Sequence, residues 1–201
     1  VFGCLAIVST LQNGIVIQYA ADGTQLIDIP EKIWMASLFI GLAAAVDFLD
    51  GFVARLFKAG SEMGKQLDSL ADVVSFAVAP SLILYPFLRM SIAHDEDGLN
   101  ASIIWLVPAF SLACAGAWRL AKFNIDESQS YGFKGVPTPA VGLVVASIPL
   151  IYWNNHSQLI VDVLFNKWFL YGIIVLLSWL MVSNLPIMAM KFKDYGLKSN
   201  L

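Results

Sequence analysis

Residues 47–72 read DFLDGFVARLFKAGSEMGKQLDSLAD, and four aspartates, Asp47, Asp50, Asp68 and Asp72, stand in or at the edge of apolar helical patterning. A charged side chain at membrane depth costs at least ~2.5 kcal/mol. Four such carboxylates need cations to offset them, and Arg55 alone cannot. Asp47 and Asp50 are three residues apart, and Asp68 and Asp72 are four apart, so each pair shares one helix face. The short polar turn between the helices predicts an antiparallel pair lying side by side. The two carboxylate pairs then converge on one site near a membrane surface. Hard oxygen ligands suit Mg²⁺, Mn²⁺ or Ca²⁺ rather than zinc. Four carboxylates are enough for two ions about 3.5–4 Å apart, an arrangement used for phosphoryl chemistry. Gly51 and Ala54 lie beside the acidic face, and Gly64 opens the next helix. Their small size lets a ligand or backbone come close. Arg55 is suited to bidentate hydrogen bonds with a diphosphate.

The surroundings of this stretch are those of a membrane protein. Of 201 residues, 58% are hydrophobic and 13% charged, whereas a soluble domain carries about 25% charged residues. Mean hydropathy is +0.72. Six apolar stretches approach the ~20 residues that cross a bilayer. They cover roughly 1–20, 33–57, 65–89, 101–122, 136–154 and 166–190. Backbone groups in lipid must be satisfied internally, so all six are expected to be helices. Prolines 80, 86, 108, 149 and 186 fall inside them, where neighbouring helices compensate. The expectation is all-α: a polytopic membrane protein with six transmembrane helices forming one catalytic domain, 1–201. The net charge of −3 and the lack of a basic cluster argue against nucleic acid as a partner.

Basic residues set the orientation. Arg55, Lys58, Lys65, Arg119, Lys122, Lys134, Lys191, Lys193 and Lys198 fall on one side, and only Lys32, Arg89 and Lys167 on the other. The first side is therefore expected to be cytoplasmic, with the aspartates at that face of the cell membrane. Asp95, Glu96, Asp97, His94 and His156 are expected in solvated outer loops. Tyr152, Trp153 and Trp168 read as interfacial anchors. Cys4 and Cys114 lie in apolar runs and read as small hydrophobes. The chain starts at Val1 in an apolar run, which reads as a trimmed N-terminus.

The motif D-x2-D-G-x2-A-R-x8-G-x3-D-x3-D resembles the signature of the CDP-alcohol phosphotransferases. Asp47, Asp50, Gly51, Ala54, Arg55, Gly64, Asp68 and Asp72 match it at every fixed position. The resemblance implies the fold of that family and a homodimer. It also implies that Asp47, Asp50, Asp68 and Asp72 hold two divalent cations, Mg²⁺ or Mn²⁺ with Ca²⁺ also suitable, and that Asp72 is the general base. Gly51, Ala54 and Gly64 would border the CDP moiety, and Arg55 would contact phosphate. The bland reading of the aspartates is polar glue between helices, which leaves the accompanying small residues without a purpose.

The acceptor alcohol is read from a second region. RLAKFN (Arg119, Lys122, Phe123, Asn124) and FKGVPTPA (133–140) resemble the branch of the family that acts on serine, with Val136 where leucine is common. Serine is a zwitterion. Arg119, Lys122 and Lys134 are candidates for its carboxylate, and Asn124, Ser128, Ser130 and Thr138 for its ammonium group or the waters around it. For Lys134 plain snorkelling is an equal account. The expected reaction transfers phosphatidyl from CDP-diacylglycerol to L-serine and releases CMP, by direct attack, since no Cys or Ser–His pair lies in the motif. Glycerol phosphate or inositol phosphate would want a denser basic cluster. Choline would want an aromatic cage, for which Tyr131, Phe123 and Phe133 are available. A divalent-cation transporter is the alternative of a different class.

Overall fold

The computed structural model describes residues 1–19, 25–57, 61–93, 98–125, 133–154 and 157–187. Its axis is a nearly unbroken helical rod, Glu62–Ala93, of 32 residues. The rod is built from α3 (Glu62–Val73), a π-turn (Val74–Val78) and α4 (Ala79–Ala93). Around it pack α1 (Phe2–Gln12), α2 (Trp34–Phe57), α5 (Ser111–Ile125), α6 (Thr138–Asn154), α7 (Gln158–Leu164) and α8 (Lys167–Val182).

Three helices, Trp34–Val53, Glu62–Ala93 and Ile103–Ile125, are long and apolar enough to cross a membrane, and the α7–α8 pair makes a fourth if it counts as one span bent by 59°. α6 has 17 residues and α1 has 11. Large side chains such as Phe48, Leu56, Trp168 and Val175 are exposed on the helix surfaces. That much apolar surface on a helical bundle suits a lipid environment.

Two predicted spans are corrected. The first, 1–20, is helical only to Gln12. Val16–Tyr19 forms β1, antiparallel to β2 (Gln25–Asp28), with Val16 opposite Asp28. Asn13 stops the helix by donating from Nδ2 to the Ser9 carbonyl at 2.8 Å, and Gly14 leads into three β-branched residues, Ile15, Val16 and Ile17, that favour the extended form. The sixth, 166–190, ends as helix at Val182. Pro186 lies beyond it in β4 (Pro186–Ile187), paired with β3 (Phe133–Lys134). The fourth span starts with two 3₁₀ turns, Ile103–Trp105 and Val107–Phe110, so Pro108 sits where no intrahelical donor is needed. Apart from these short pairings, the all-α expectation holds among the described residues.

The core runs along the rod. Phe76, Ile83, Leu84, Phe87 and Leu88 are fully buried with Ile33, Ile40, Leu170 and Ile174. At the end of the rod far from residues 47–72, Phe87 meets the rings of Tyr152 and Phe165 at 5.9 and 5.6 Å, and Tyr152 donates to Asp28 at 2.9 Å. Trp153 stacks on Trp34 at 5.2 Å.

The π-turn starts two residues after Asp72 and is gripped by close helix contacts. A Cβ on Gly116 of α5 would meet Ala77 at 2.5 Å, and one on Gly142 of α6 would meet Phe76 at 3.1 Å. Only the lack of a side chain lets α5 and α6 close on the widened turn. π-turns of this kind are common at functional sites.

Candidate active site

Two helices bring the acidic residues together. Ser61 caps α3 by accepting from the Gly64 N–H at 3.0 Å, which sets the start of the helix nearly two turns ahead of Asp68. Asp68 and Asp72 then lie on one face of α3, one exposed and one half-buried, and half-buried Asp47 approaches them from α2. One carboxylate oxygen from each of Asp47, Asp68 and Asp72 lies within 4.8 Å of the other two. Three of the four carboxylates expected from the spacing thus converge, and Asp50 is not among them.

The ligand geometry fits a cation. Oxygen ligands stand about 2.0–2.6 Å from Mg²⁺ or Ca²⁺, so pairs of ligands on one ion fall within roughly 3–5 Å of each other. The three carboxylates also repel: Asp47 faces the charges of Asp68 and Asp50, and Asp72 those of Asp47 and Asp68. A bound divalent ion relieves that repulsion. Asp50 is exposed on α2 and lies outside the three-carboxylate group among the described residues.

Arg119 of α5 reaches the same region. Its guanidinium donates from Nη1 to Thr138 Oγ1 at 3.1 Å, its buried Nε has no hydrogen-bond partner among the described residues, and its charge acts on Asp72. Asn124, one turn further along α5, exchanges hydrogen bonds with Ser69. Nδ2 donates to the Ser69 hydroxyl at 2.9 Å, and that hydroxyl reaches Oδ1 at 3.3 Å. Ser69 stands between Asp68 and Asp72 in sequence, so this pair locks the rotation of the aspartate helix against α5. The sequence reading missed Ser69, because no spacing rule singles out a serine beside an aspartate.

The other predicted residues divide. Lys122 donates to Asn184 Oδ1 at 2.9 Å, and this exposed contact ties α5 to the end of α8. Lys65 lies over the Phe123 ring at 5.6 Å, so Phe123 already faces one cation. Gly51 is exposed on α2. Ala54 and Arg55 are placed on α2, and Phe133 and Lys134 on β3, but their side chains lie outside the described residues, as do Lys58, His94–Asp97 (94–97), Ser128, Ser130, Tyr131, His156 and the C-terminal lysines.

Gly135, read from sequence as part of an acceptor segment, has an architectural task. Its φ is +75°, and a Cβ would meet Met181 O at 2.6 Å and Ser183 O at 2.8 Å. Its N–H donates to Leu185 O, and that of Val136 donates to Leu180 O, at 3.0 and 3.1 Å. Together they satisfy carbonyls at and beyond the end of α8.

Residues 4–184 match the family model described as CDP-alcohol phosphatidyltransferase. The chain is 39% identical over 82% of its length to the CDP-diacylglycerol--serine O-phosphatidyltransferase of Helicobacter pylori J99, covering 65% of that protein. It is 36% identical over 60% of its length to the protein of the same name from Bacillus subtilis, covering 63% of it. To the archaetidylserine synthase of Methanothermobacter thermautotrophicus it is 35% identical over 62% of its length, covering 50%. The chain thus spans less than two thirds of the length of these relatives.

Proposed function

This chain belongs to the CDP-alcohol phosphatidyltransferase family, and from that premise we propose that it transfers the phosphatidyl group of CDP-diacylglycerol to the hydroxyl of L-serine, releasing CMP. The observation that carries the reading is the meeting of Asp47, Asp68 and Asp72 from two helices. The relatives support serine as the acceptor, since their names share serine although their lipid parts differ.

Asp47, Asp68 and Asp72 would hold a divalent ion, and Asp50 would complete a two-ion site by turning inward. When bound, Mg²⁺ or Mn²⁺ supplies charge neutralisation for the diphosphate and the departing CMP. The rest of the reaction falls to the chain. Arg55, Gly51, Ala54 and Gly64 border the nucleotide and its phosphates. Asp72 takes the proton of the serine hydroxyl at a carboxylate oxygen. The hydroxyl oxygen forms the new bond to the lipid phosphorus as the bond from that phosphorus to the CMP oxygen breaks. Arg119, poised between Thr138 and Asp72 with an Nε–H unused among the described residues, receives the serine carboxylate. Asn124 borders the ammonium group. Lys122 and Lys134 add positive potential at the entrance.

The site faces the cytoplasm, where serine is dissolved, while the acyl chains remain in the bilayer. We take the six apolar segments to make one six-span catalytic domain, with α1, α6 and the bent α7–α8 pair completing the crossing within a homodimer.

The test is CMP release from labelled CDP-diacylglycerol with serine, inositol phosphate, glycerol phosphate or choline in turn, across a Mg²⁺ and Mn²⁺ titration and with a chelator. Serine should support turnover, and the chelator should abolish it. Turnover with another alcohol but none with serine rejects the acceptor assignment. Metal flux into liposomes without CMP release would point to a transporter.

A further inference from the structure

Two grooves open beside α4 at the end of the rod opposite the aspartates. One, of about 280 Å³, is lined by Leu11, Ile15, Ile17 and Leu82 together with Tyr85 and Arg89. The other, of about 170 Å³, is lined by Ile92, Ile103 and Leu106, again with Tyr85 and Arg89. Arg89 is the charged side chain common to both. It is exposed and makes no hydrogen bond or ion pair with another described residue.

Its depth follows from the helix. Arg89 lies 17 residues beyond Asp72 on the continuous rod Glu62–Ala93, which is ~25 Å at 1.5 Å per residue. The hydrocarbon core of a bilayer is ~30 Å thick. The guanidinium therefore stands near the membrane interface opposite the aspartates, too far away to serve their reaction.

We propose that Arg89 and the two grooves bind one anionic two-chain phospholipid of that opposite leaflet, with its phosphate on the guanidinium and one acyl chain in each groove. A guanidinium matches phosphate by bidentate donation. A single cation shared by two grooves, the larger mainly apolar and the smaller of mixed polar and apolar surface, is the complement of one charged head with one tail in the larger groove and its ester region and second tail entering the smaller. An arginine that merely snorkels to water attracts anionic lipid without holding a fixed number of molecules, and the two accounts part on that point.

The full chain is reconstituted with equal amounts of phosphatidylglycerol and phosphatidylcholine, extracted in mild detergent, and weighed by native mass spectrometry. The wild-type chain should keep one phosphatidylglycerol per copy. Arg89→Gln should lower its preference for phosphatidylglycerol over phosphatidylcholine roughly fivefold, the effect of one interfacial charge. Arg89→Lys should retain most of it. Leu82→Trp, which fills a groove, should release the lipid while Arg89 is still present. CMP release by Arg89→Gln at the wild-type rate shows that the variant is folded and separates this site from that of the aspartates. Equal retention of the two lipids by the wild type, or unchanged phosphatidylglycerol in both Arg89→Gln and Leu82→Trp, overturns the proposal. So does a rapid disulfide between copies through Ile103→Cys in native vesicles, which would show that a second chain covers the groove.

Discussion

Asp72 is the last residue but one of α3, just ahead of the π-turn, and it joins the two other carboxylates across from Arg119. Replacing it with asparagine keeps the shape and removes the proton acceptor. Asp72→Asn is expected to slow CMP release by about 10²–10⁴-fold with CDP-lipid binding largely kept, as read by equilibrium binding alongside turnover. Asp47→Asn and Asp68→Asn should instead weaken metal and nucleotide binding together in a metal titration. Wild-type turnover in Asp72→Asn would remove it from the base role. Gly135 is a residue-scale case of a different kind. Gly135→Ala forces a side chain into a left-handed backbone and against Met181 O. A loss of about 1–3 kcal/mol should appear as a lower thermal midpoint in detergent, and an unchanged midpoint would mean that the end of α8 yields freely.

At the scale of elements, the aspartate helix is held from the side. α3 has no buried residue of its own, so its rotation depends on what grips it. Ser69 and Asn124 supply one grip, and a double-mutant cycle of Ser69→Ala with Asn124→Ala should give a coupling of about 0.5–1.5 kcal/mol in chemical unfolding. Additive losses would deny that the contact is made. The π-turn supplies the other. Gly116→Val pushes a branched side chain at Ala77, and such overpacking costs about 1–3 kcal/mol. Because the strain falls next to Asp72, turnover should fall more than stability does, and parallel activity and unfolding measurements separate the two. Helices α2 and α3 were foreseen from apolar length and their acidic faces from the three- and four-residue spacings, whereas the Ser69–Asn124 grip comes from residues 55 positions apart and leaves no local pattern.

For the whole molecule, the bundle has one acidic end and one aromatic end. The first holds Asp47, Asp68 and Asp72; the second holds Phe87, Tyr152, Phe165, Trp34 and Trp153. In the orientation proposed from the distribution of lysine and arginine, the acidic end faces the cytoplasm. In a chain with Cys4 and Cys114 changed to alanine, Ser130→Cys should react with an impermeant thiol reagent only after the membrane is opened, and Asn100→Cys should react in intact cells. Labelling of Ser130→Cys from outside would reverse the orientation and detach the site from cytoplasmic serine.

Sequence alone determined the membrane class, the two helices that meet, the four aspartates from which the facing carboxylates are drawn, and the family they resemble. Each of these follows from properties carried along a single line of residues: apolar length, helical period, and the cost of charge in lipid. Tertiary structure decided that Asp47 rather than Asp50 completes the acidic trio, that Arg119 leans on Thr138, that Ser69 anchors Asn124, and that the segment after Gln12 turns into a hairpin instead of continuing as a span. These outcomes depend on how far each helix is rotated and on what it packs against. That balance is struck between distant residues, and no stretch of chain carries it alone.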